Sequence, residues 1–257
     1  LLTMPHRFSS LRCLVSSSAV INDDVKEKLF DTLSCEFHEM YGASEIATAT
    51  NLNREQAVLK PKSVGVPCPG VEVMVVDEDL ELCKPMEMGQ IIVQSPLVSA
   101  GYYNLSDTTE ESFTEGYFLT GDLGYFDDDG YLYFVDRKKD IIISGGMNIY
   151  PSDIEEIIKE HKLVNDCVVI GIYDNYLGEI PVAVLVCDEN RKMLEKEIRT
   201  MVKKRLAAFQ HPAKYFQRNN LPLTASGKVD RKSLREELND LKFDLSSKLR
   251  ALQNIQS

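Results

Sequence analysis

The sequence has no C-x-x-C pair, no surplus of basic residues and no apolar run near the length of a membrane span. Its six cysteines are scattered, mostly within apolar stretches, so neither a zinc site nor a disulfide framework is indicated and a cytoplasmic location is expected. The net charge of -11 argues against nonspecific binding to nucleic acid phosphates. A spanning helix needs roughly 20 apolar residues, which excludes one here and leaves peripheral contact with a membrane open.

What the chain does contain is enough apolar material for a buried core, with 44% hydrophobic residues among 257. The charge is unevenly divided along it. Residues through Asp136 include 8 basic and 23 acidic side chains, whereas those from Arg137 onward include 21 basic and 17 acidic. This step predicts two folding units with a boundary near residue 137, and chance sorting of surface charge is the alternative. The first residue is Leu, and we expect the chain to be part of a longer protein.

The front section begins with the periodicity of an α/β layer. A buried strand is predicted over residues 10–16, an amphipathic helix over 22–33 and a second strand over 36–40. In such layers the functional loops follow the carboxyl ends of the strands. Between 63 and 135 the sequence changes to short alternating segments separated by glycine and proline, which predicts a β-rich subdomain, and residues 127–130 have the composition of a hairpin turn.

The rear section predicts a small α+β domain. Ser152 and Glu155 fit a capping box with Pro151 just outside the helix, and a leucine stripe in the tail from residue 241 predicts a packing face. The predicted elements are strand 140–144, helix 152–161, strands 167–172 and 182–187, helix 192–206 and a last helix from residue 231.

Four short motifs offer chemistry, and each alone could equally be a surface turn. Residues 41–45 (Tyr-Gly-Ala-Ser-Glu) place a ring, a hydroxyl and a carboxylate at a strand end, where they could meet a base, a phosphate and Mg²⁺. The Asp of Thr-Gly-Asp at 120–122 could accept ribose hydroxyls. Five charged residues at 136–140 lead to a paired-glycine loop, and residues 222–228 (Pro-Leu-Thr-Ala-Ser-Gly-Lys) carry one lysine on a turn.

These motifs, in this order over residues 10–238, resemble the superfamily of AMP-forming adenylating enzymes. Residues 136–156 are most similar to its acyl-CoA synthetase branch, which acts on fatty and aryl acids. The resemblance implies α/β and α+β architecture. Residues 1–136 would end a large nucleotide- and acyl-binding domain, with an α/β layer and a distorted β-barrel subdomain. Residues 137–257 would form a small, mobile α+β C-terminal domain.

The resemblance also implies roles for individual residues. Asp122 and Arg137 would hold the ribose hydroxyls, and Lys228 would bridge the carboxylate oxygen and the α-phosphate during adenylation. Lys139 would be the hinge of the small domain. In the second step, Gly145 and Gly146 would line the passage that delivers the thiol. The adenine, phosphate and Mg²⁺ contacts, with Glu45 as the metal ligand and Tyr41 stacked on the base, would come from Ser18, Ala19, Val20, Tyr41, Gly42, Ser44 and Glu45.

The implied reaction uses ATP, Mg²⁺ and coenzyme A to convert a carboxylic acid, expected to be a fatty acid, into an acyl-AMP and then a CoA thioester. Three features depart from the family pattern, and the first is Asn148, which stands where some members have arginine. The glycine-rich phosphate loop ending in Pro-Lys-Gly is absent from these residues, so we expect little or no ligase activity from this chain alone. Residues 17–20 replace a commoner glycine-rich or Glu-Pro segment in the adenine wall.

Two other functions stay open at this point. An adenylation domain that loads a carrier protein would use the same chemistry, but the sequence has no serine in the context of a carrier attachment site. A non-catalytic remnant could bind a nucleotide or a protein partner, and the presence of Asp122, Arg137 and Lys228 in order argues against it. The chain length or aromaticity of the acid and the oligomeric state stay open as well.

Overall fold

The computed structural model describes residues 8, 10–18, 21, 23–187, 192–225 and 227–240. The chain forms two compact units, Leu1–Lys139 and Asp140–Ser257. Arg137 stays with the first unit because it is the last residue of a strand there, so the units divide slightly later than the charge count predicted. None of the helices in the described ranges is long and apolar enough to cross a membrane.

The first unit contains two sheets and three helices within its described residues. Its elements are β1 (Cys13–Ser17), α1 (Asp23–Thr32), β2 (Glu36–Ala43), β3 (Ala47–Asn53), α2 (Arg54–Leu59), β4 (Val66–Pro67), β5 (Glu72–Val76), β6 (Gly89–Gln94), α3 (Ser106–Ser112), β7 (Phe113–Thr114), β8 (Tyr117–Phe126) and β9 (Leu132–Arg137).

The first sheet has the strand order β1-β2-β3-β4. β1 and β2 are parallel and are connected by α1, which confirms the predicted strand, helix and strand at the front of the chain. The expected burial of the first strand is wrong, because the residues of β1 alternate between exposed and half-buried at the edge of the sheet. Leu29 and Leu33 bury the apolar face of α1 beside Cys35. Lys26 is also buried on this helix, and its Nζ lies 2.7 Å from Oε2 of Glu39 on β2. A parallel pair with its crossover helix therefore directs the carboxyl ends of β1 and β2 to one edge.

The second sheet has the order β5-β6-β8-β7, with β9 paired to β8, and is the predicted β-rich subdomain. Its core includes Ile91, Phe118 and Leu132. The predicted hairpin turn connects β8 to β9, and Asp127 stabilises it by accepting hydrogen bonds from the backbone N–H groups of Asp129 (3.0 Å) and Tyr131 (2.9 Å). This turn sets the pairing of β8 and β9 up to Gly124, where a bulge shifts the register before Leu123 pairs with Asp136 and Asp122 with Arg137.

Within its described residues, the second unit is a five-stranded sheet with helices on both faces. Alternate residues of the strand Asp166–Asp174 point to opposite faces, so Val169 packs with α4 and α5 whereas Val168 packs with α6. This arrangement confirms the predicted α+β class. Its elements, after a 3-10 helix over Lys138–Asp140, are β10 (Ile142–Ser144), β11 (Met147–Ile149), α4 (Pro151–Lys159), β12 (Asp166–Asp174), β13 (Gly178–Val186), α5 (Lys192–Arg205), β14 (Lys214–Arg218) and α6 (Arg231–Asp240).

The predicted capping box at Ser152 and Glu155 is wrong. Tyr150 is the N-cap residue of α4 and Pro151 is inside the helix at its first turn, where a missing N–H costs nothing. Glu155 instead turns inward, where its Oε1 accepts hydrogen bonds from the backbone N–H of Val169 (2.7 Å) and from Arg231 (2.7 Å). Tertiary contacts outweigh the local capping pattern. The leucine stripe predicted in the tail lies outside the described residues.

Arg231 and Glu155 provide a test of stability in this unit. Arg231→Met would remove the guanidinium that lies 2.7 Å from the buried Glu155 carboxylate. We expect this substitution to lower the free energy of unfolding by about 3 kcal/mol. Burial raises the pKa of Glu155 while Arg231 lowers it, so removing Arg231 raises this pKa further. The folded variant then takes up a proton more readily than the wild type as the pH falls, and the loss of stability should shrink toward acidic pH.

Urea unfolding followed by circular dichroism at several pH values measures both effects of Arg231→Met. The matched control is Lys232→Met, because the Lys232 side chain is 87% exposed on the same helix and should change little. Equal losses for the two variants, or a deficit independent of pH, would show that the buried carboxylate does not govern the effect.

Candidate functional site

A hydrogen-bonded cluster joins three of the predicted site residues in the first unit. Tyr41, on β2, donates from its hydroxyl to Oδ2 of Asp122 on β8 at 2.8 Å. Arg137 is the direct partner of Asp122 in the β8–β9 register, and its Nε lies 3.2 Å from Oδ1 of the same carboxylate. Residues far apart in the sequence thus converge because β8 and β9 pair beside the end of β2.

Asp122 is held firmly, whereas its cationic partner is open to solvent. The backbone N–H of Asp122 donates to Oγ1 of Thr120 at 3.0 Å, and that hydroxyl donates to the carbonyl of Ile91 at 2.7 Å. The Asp122 side chain is 9% exposed, against 43% for Arg137. A fixed carboxylate that accepts hydrogen bonds beside an accessible guanidinium can bind adjacent hydroxyl groups, such as those of a ribose.

Tyr41 acts as a hydrogen-bond donor in this cluster. Burial and the neighbouring Asp122 charge raise the pKa of its phenol well above the ordinary value, so the hydroxyl stays protonated. Its ring lies beside Phe134, with centroids 6.4 Å apart. The sequence predicted the ring as a stacking surface. The structure adds a bond from its hydroxyl to Asp122, which ties the predicted adenine and ribose residues together.

The turn after Tyr41 depends on glycine. The β2–β3 register shifts between Tyr41 and Gly42, and a Cβ added to Gly42 would lie 2.0 Å from the carbonyl oxygen of Ala47. A side chain there would clash with backbone. Gly42 therefore permits the close approach that presents Ser44, which is exposed, and Glu45, which is half-buried, at the strand end.

Glu45 is held by a residue that the sequence did not reveal. Tyr102 donates from its hydroxyl to Oε1 of Glu45 at 2.7 Å, and the Glu45 carbonyl accepts a hydrogen bond from the N–H of Ser99 at 2.7 Å. The only local signal was a pair of tyrosines directly after a glycine at position 101. Such a signal gives no information about the partner, because 57 residues separate Tyr102 from Glu45.

Among the described residues of the first unit, two sets of side chains could hold a metal ion. Glu45 and Ser44 offer carboxylate and hydroxyl oxygens, the hard donors that suit Mg²⁺. Cys13, Glu36 and His38 form a separate group whose ligand atoms lie within 4.8 Å of one another. Parallel pairing of β1 and β2 creates this second group at the opposite end of β2 from Tyr41, so no spacing in the sequence could have shown it.

The remaining predicted residues of the first unit are only partly described. Ser18 follows β1 with φ of +75°, in the left-handed region that favours glycine, which is consistent with a glycine-rich segment being commoner here. Ala19 and Val20 lie outside the described residues. Lys139 is exposed in the 3-10 helix and is the last residue of the first unit.

In the second unit, Gly145 and Gly146 form the two-residue turn between β10 and β11. Both have positive φ, +57° and +81°, as the tight hairpin turns of twisted strands require. The N–H of Gly145 donates to the carbonyl of Leu177 at 2.7 Å, which fixes the turn against the next hairpin. The pair thus presents an exposed strip of backbone without side chains.

Lys228 lies on an exposed loop of the second unit. Leu223 and Val229 pair across the loop, and the carbonyl of Lys228 accepts a hydrogen bond from the N–H of Thr224 at 2.7 Å. Among the residues that the structure describes, no acceptor contacts the Lys228 ammonium. The loop therefore positions a cation without neutralising it.

Comparison with known proteins gives two family matches. Residues 2–103 match the family described as AMP-binding enzyme, and residues 153–228 match the AMP-binding enzyme C-terminal domain. The long-chain-fatty-acid–CoA ligase of Bacillus subtilis (strain 168) is 39% identical over 230 residues, which cover 89% of this chain and 41% of that protein.

Two solved structures of o-succinylbenzoate CoA synthetase from Bacillus subtilis have the same fold. The complex with the acyl-adenylate intermediate has a TM-score of 0.80 at 33% identity and covers 91% of this chain and 49% of that one. The complex with ATP and a magnesium ion has a TM-score of 0.78 at 33% identity and covers 90% and 50%. The chain therefore spans about half the length of the relatives it matches.

Proposed function

Because this chain belongs to the AMP-binding enzyme family, we propose that its protein is an ATP-dependent acid:CoA ligase. The observation that carries the proposal is the cluster of Tyr41, Asp122 and Arg137, which unites the residues that the resemblance assigns to adenine and ribose. Since the chain spans about half of its relatives, the activity of the whole protein rests on this inference.

Asp122 and Arg137 bind the nucleoside in this proposal. The buried carboxylate of Asp122 accepts hydrogen bonds from the two ribose hydroxyls, and the exposed guanidinium of Arg137 turns toward the same sugar. Tyr41 offers its ring to the adenine while its hydroxyl holds Asp122 in place. These contacts persist through both half-reactions, because the AMP moiety is present in each.

Lys228 supports the first half-reaction. An oxygen of the acid's carboxylate attacks the α-phosphorus of ATP, a new P–O bond forms, and the bond to pyrophosphate breaks. The Lys228 ammonium offsets the negative charge that gathers between carboxylate and phosphate. Glu45, with Ser44, would hold Mg²⁺, which neutralises phosphate charge when bound.

The second unit supplies the proposed passage for the thiol in the second half-reaction. The sulfur of coenzyme A attacks the acyl carbonyl, a C–S bond forms, and AMP leaves as the C–O bond breaks. Gly145 and Gly146 offer a surface without side chains that an extended thiol arm can follow closely. Lys139, at the boundary of the compact units, is the proposed hinge that withdraws Lys228 between the steps.

The proposed acid is a fatty acid, and the proposed location is the cytoplasm. Similarity to a long-chain-fatty-acid–CoA ligase supports the first, and the six scattered cysteines support the second. Similarity to an o-succinylbenzoate CoA synthetase makes an aryl acid the competing substrate. The acyl-CoA synthetases in this comparison also favour coenzyme A over a carrier protein as the acceptor.

The test uses the full-length protein with ATP, Mg²⁺ and a panel of fatty and aryl acids. We expect AMP and pyrophosphate to form only when an acid is present, and a thioester to form with free coenzyme A. Transfer to a carrier protein alone would favour the carrier-loading alternative, and ATP binding without turnover on any acid would favour a non-catalytic protein. The 257-residue chain, assayed in parallel, should be inactive.

A further inference from the structure

We propose that Tyr102 is a positioning residue that orients the Glu45 carboxylate toward Mg²⁺. The proposal rests on the proposed function, in which Glu45 holds the metal. Its basis is the hydrogen bond from the Tyr102 hydroxyl to Oε1 of Glu45, 2.7 Å long and half-buried. A carboxylate that accepts a strong bond on one oxygen keeps one face and one rotamer, and its Oε2 is left for the metal.

The backbone of Glu45 is held from the same segment that carries Tyr102. The N–H of Ser99 donates to the Glu45 carbonyl at 2.7 Å, three residues before the tyrosine. Both the main chain and the side chain of Glu45 are therefore fixed by residues 99–102. A glutamate side chain on a loop is otherwise free to sample several rotamers, so these two bonds reduce the ordering cost of metal binding.

Tyr102 is itself fixed by its neighbours. Its N–H donates to Oγ1 of Thr109 at 2.9 Å, and its ring packs edge-on against Phe113 with centroids 6.2 Å apart. The preceding Gly101 has φ of +131°, and a Cβ there would lie 2.5 Å from Cγ2 of Thr109. This close approach of the loop to α3 sets the direction in which the Tyr102 hydroxyl points.

Tyr102 is half-buried and donates its hydroxyl hydrogen bond to Glu45. The neighbouring Tyr103 has no such setting, since it is 91% exposed. The two adjacent tyrosines thus differ in contact with Glu45 while sharing size and chemistry, which makes Tyr103 the matched control.

The experiment compares Tyr102→Phe with Tyr103→Phe in the full-length protein. Binding of ATP is measured by calorimetry without the acid, in Mg²⁺ and again in EDTA. We expect Tyr102→Phe to weaken binding in Mg²⁺ by about 10-fold, the typical effect of losing one hydrogen bond to a charged group, and to leave binding in EDTA unchanged. Tyr103→Phe should match the wild type in both media.

Glu45→Gln separates this proposal from the proposed function. If Glu45 holds the metal and Tyr102 acts only by orienting Glu45, adding Tyr102→Phe to Glu45→Gln should weaken Mg²⁺-dependent binding no further. Additive losses, or equal weakening by Tyr102→Phe in Mg²⁺ and EDTA, would overturn the positioning role. No change in Mg²⁺ dependence for Glu45→Gln alone would instead contradict the proposed metal role of Glu45.

Discussion

Lys228→Ala in the full-length enzyme is expected to slow formation of the acyl-AMP by about 100- to 1,000-fold, the usual cost of removing one group that stabilises transition-state charge. Conversion of preformed acyl-AMP to the CoA thioester should stay near the wild-type rate, because in the proposed mechanism Lys228 is withdrawn before that step. The Lys228 side chain is exposed, and its loop is held by backbone hydrogen bonds. Removing the ammonium should therefore leave the fold intact.

Single-turnover assays of each half-reaction measure the effect of Lys228→Ala separately. Lys232→Ala is the matched control, because Lys232 is a nearby exposed lysine whose side chain is 87% accessible. It should leave both steps unchanged. A variant of Lys228 that loses both steps equally would contradict the division of labour between adenylation and thioester formation.

Asp122→Asn is expected to impair both half-reactions, in contrast to Lys228→Ala. The substitution removes the charge that accepts bonds from Tyr41 and Arg137, and leaves the guanidinium without its 3.2 Å partner. A lost hydrogen bond involving a charged group costs about 2 kcal/mol, so the KM for ATP should rise about 30-fold. The affinity for AMP or for an acyl-AMP should fall by a similar factor.

Titration with AMP and with a non-hydrolysable acyl-AMP analogue tests Asp122→Asn directly. Asp128→Asn changes the same residue type at an exposed position of the hairpin turn and serves as the control. We expect its affinities to match the wild type. Unchanged affinity for both ligands in Asp122→Asn would remove the nucleoside-binding role from the cluster.

Much of the fold follows from local pattern. The helix over Asp23–Thr32, the β-rich character of residues 63–135 and the hairpin turn before Tyr131 follow from the sequence, because each has a clear apolar period or strong turn chemistry. Prediction failed at the start of α4, where Glu155 satisfies a capping pattern locally but meets Arg231 in the core. A short window of sequence cannot show that Arg231, 76 positions away, competes with the local cap for the Glu155 side chain.

The candidate site likewise has some features that the sequence could predict and others that it could not. Tyr41, Asp122 and Arg137 could be selected by motif and order, since each stands in a short recognisable segment. The bond between Tyr41 and Asp122, the contact of Tyr102 with Glu45 and the grouping of Cys13 with His38 could not. These depend on strand pairing and on loop approach, which fix neighbours only in three dimensions.

The hairpin of β8 and β9 also limits where residues can be inserted into or deleted from this protein. Asp122 and Arg137 face each other because of the Asp127–Gly130 turn together with a bulge, which shifts the register between Leu123 and Gly124. One residue inserted into either strand would rotate the guanidinium to the opposite side of the sheet. Viable insertions and deletions in descendants of this gene should therefore avoid the paired positions and be confined to the turn itself.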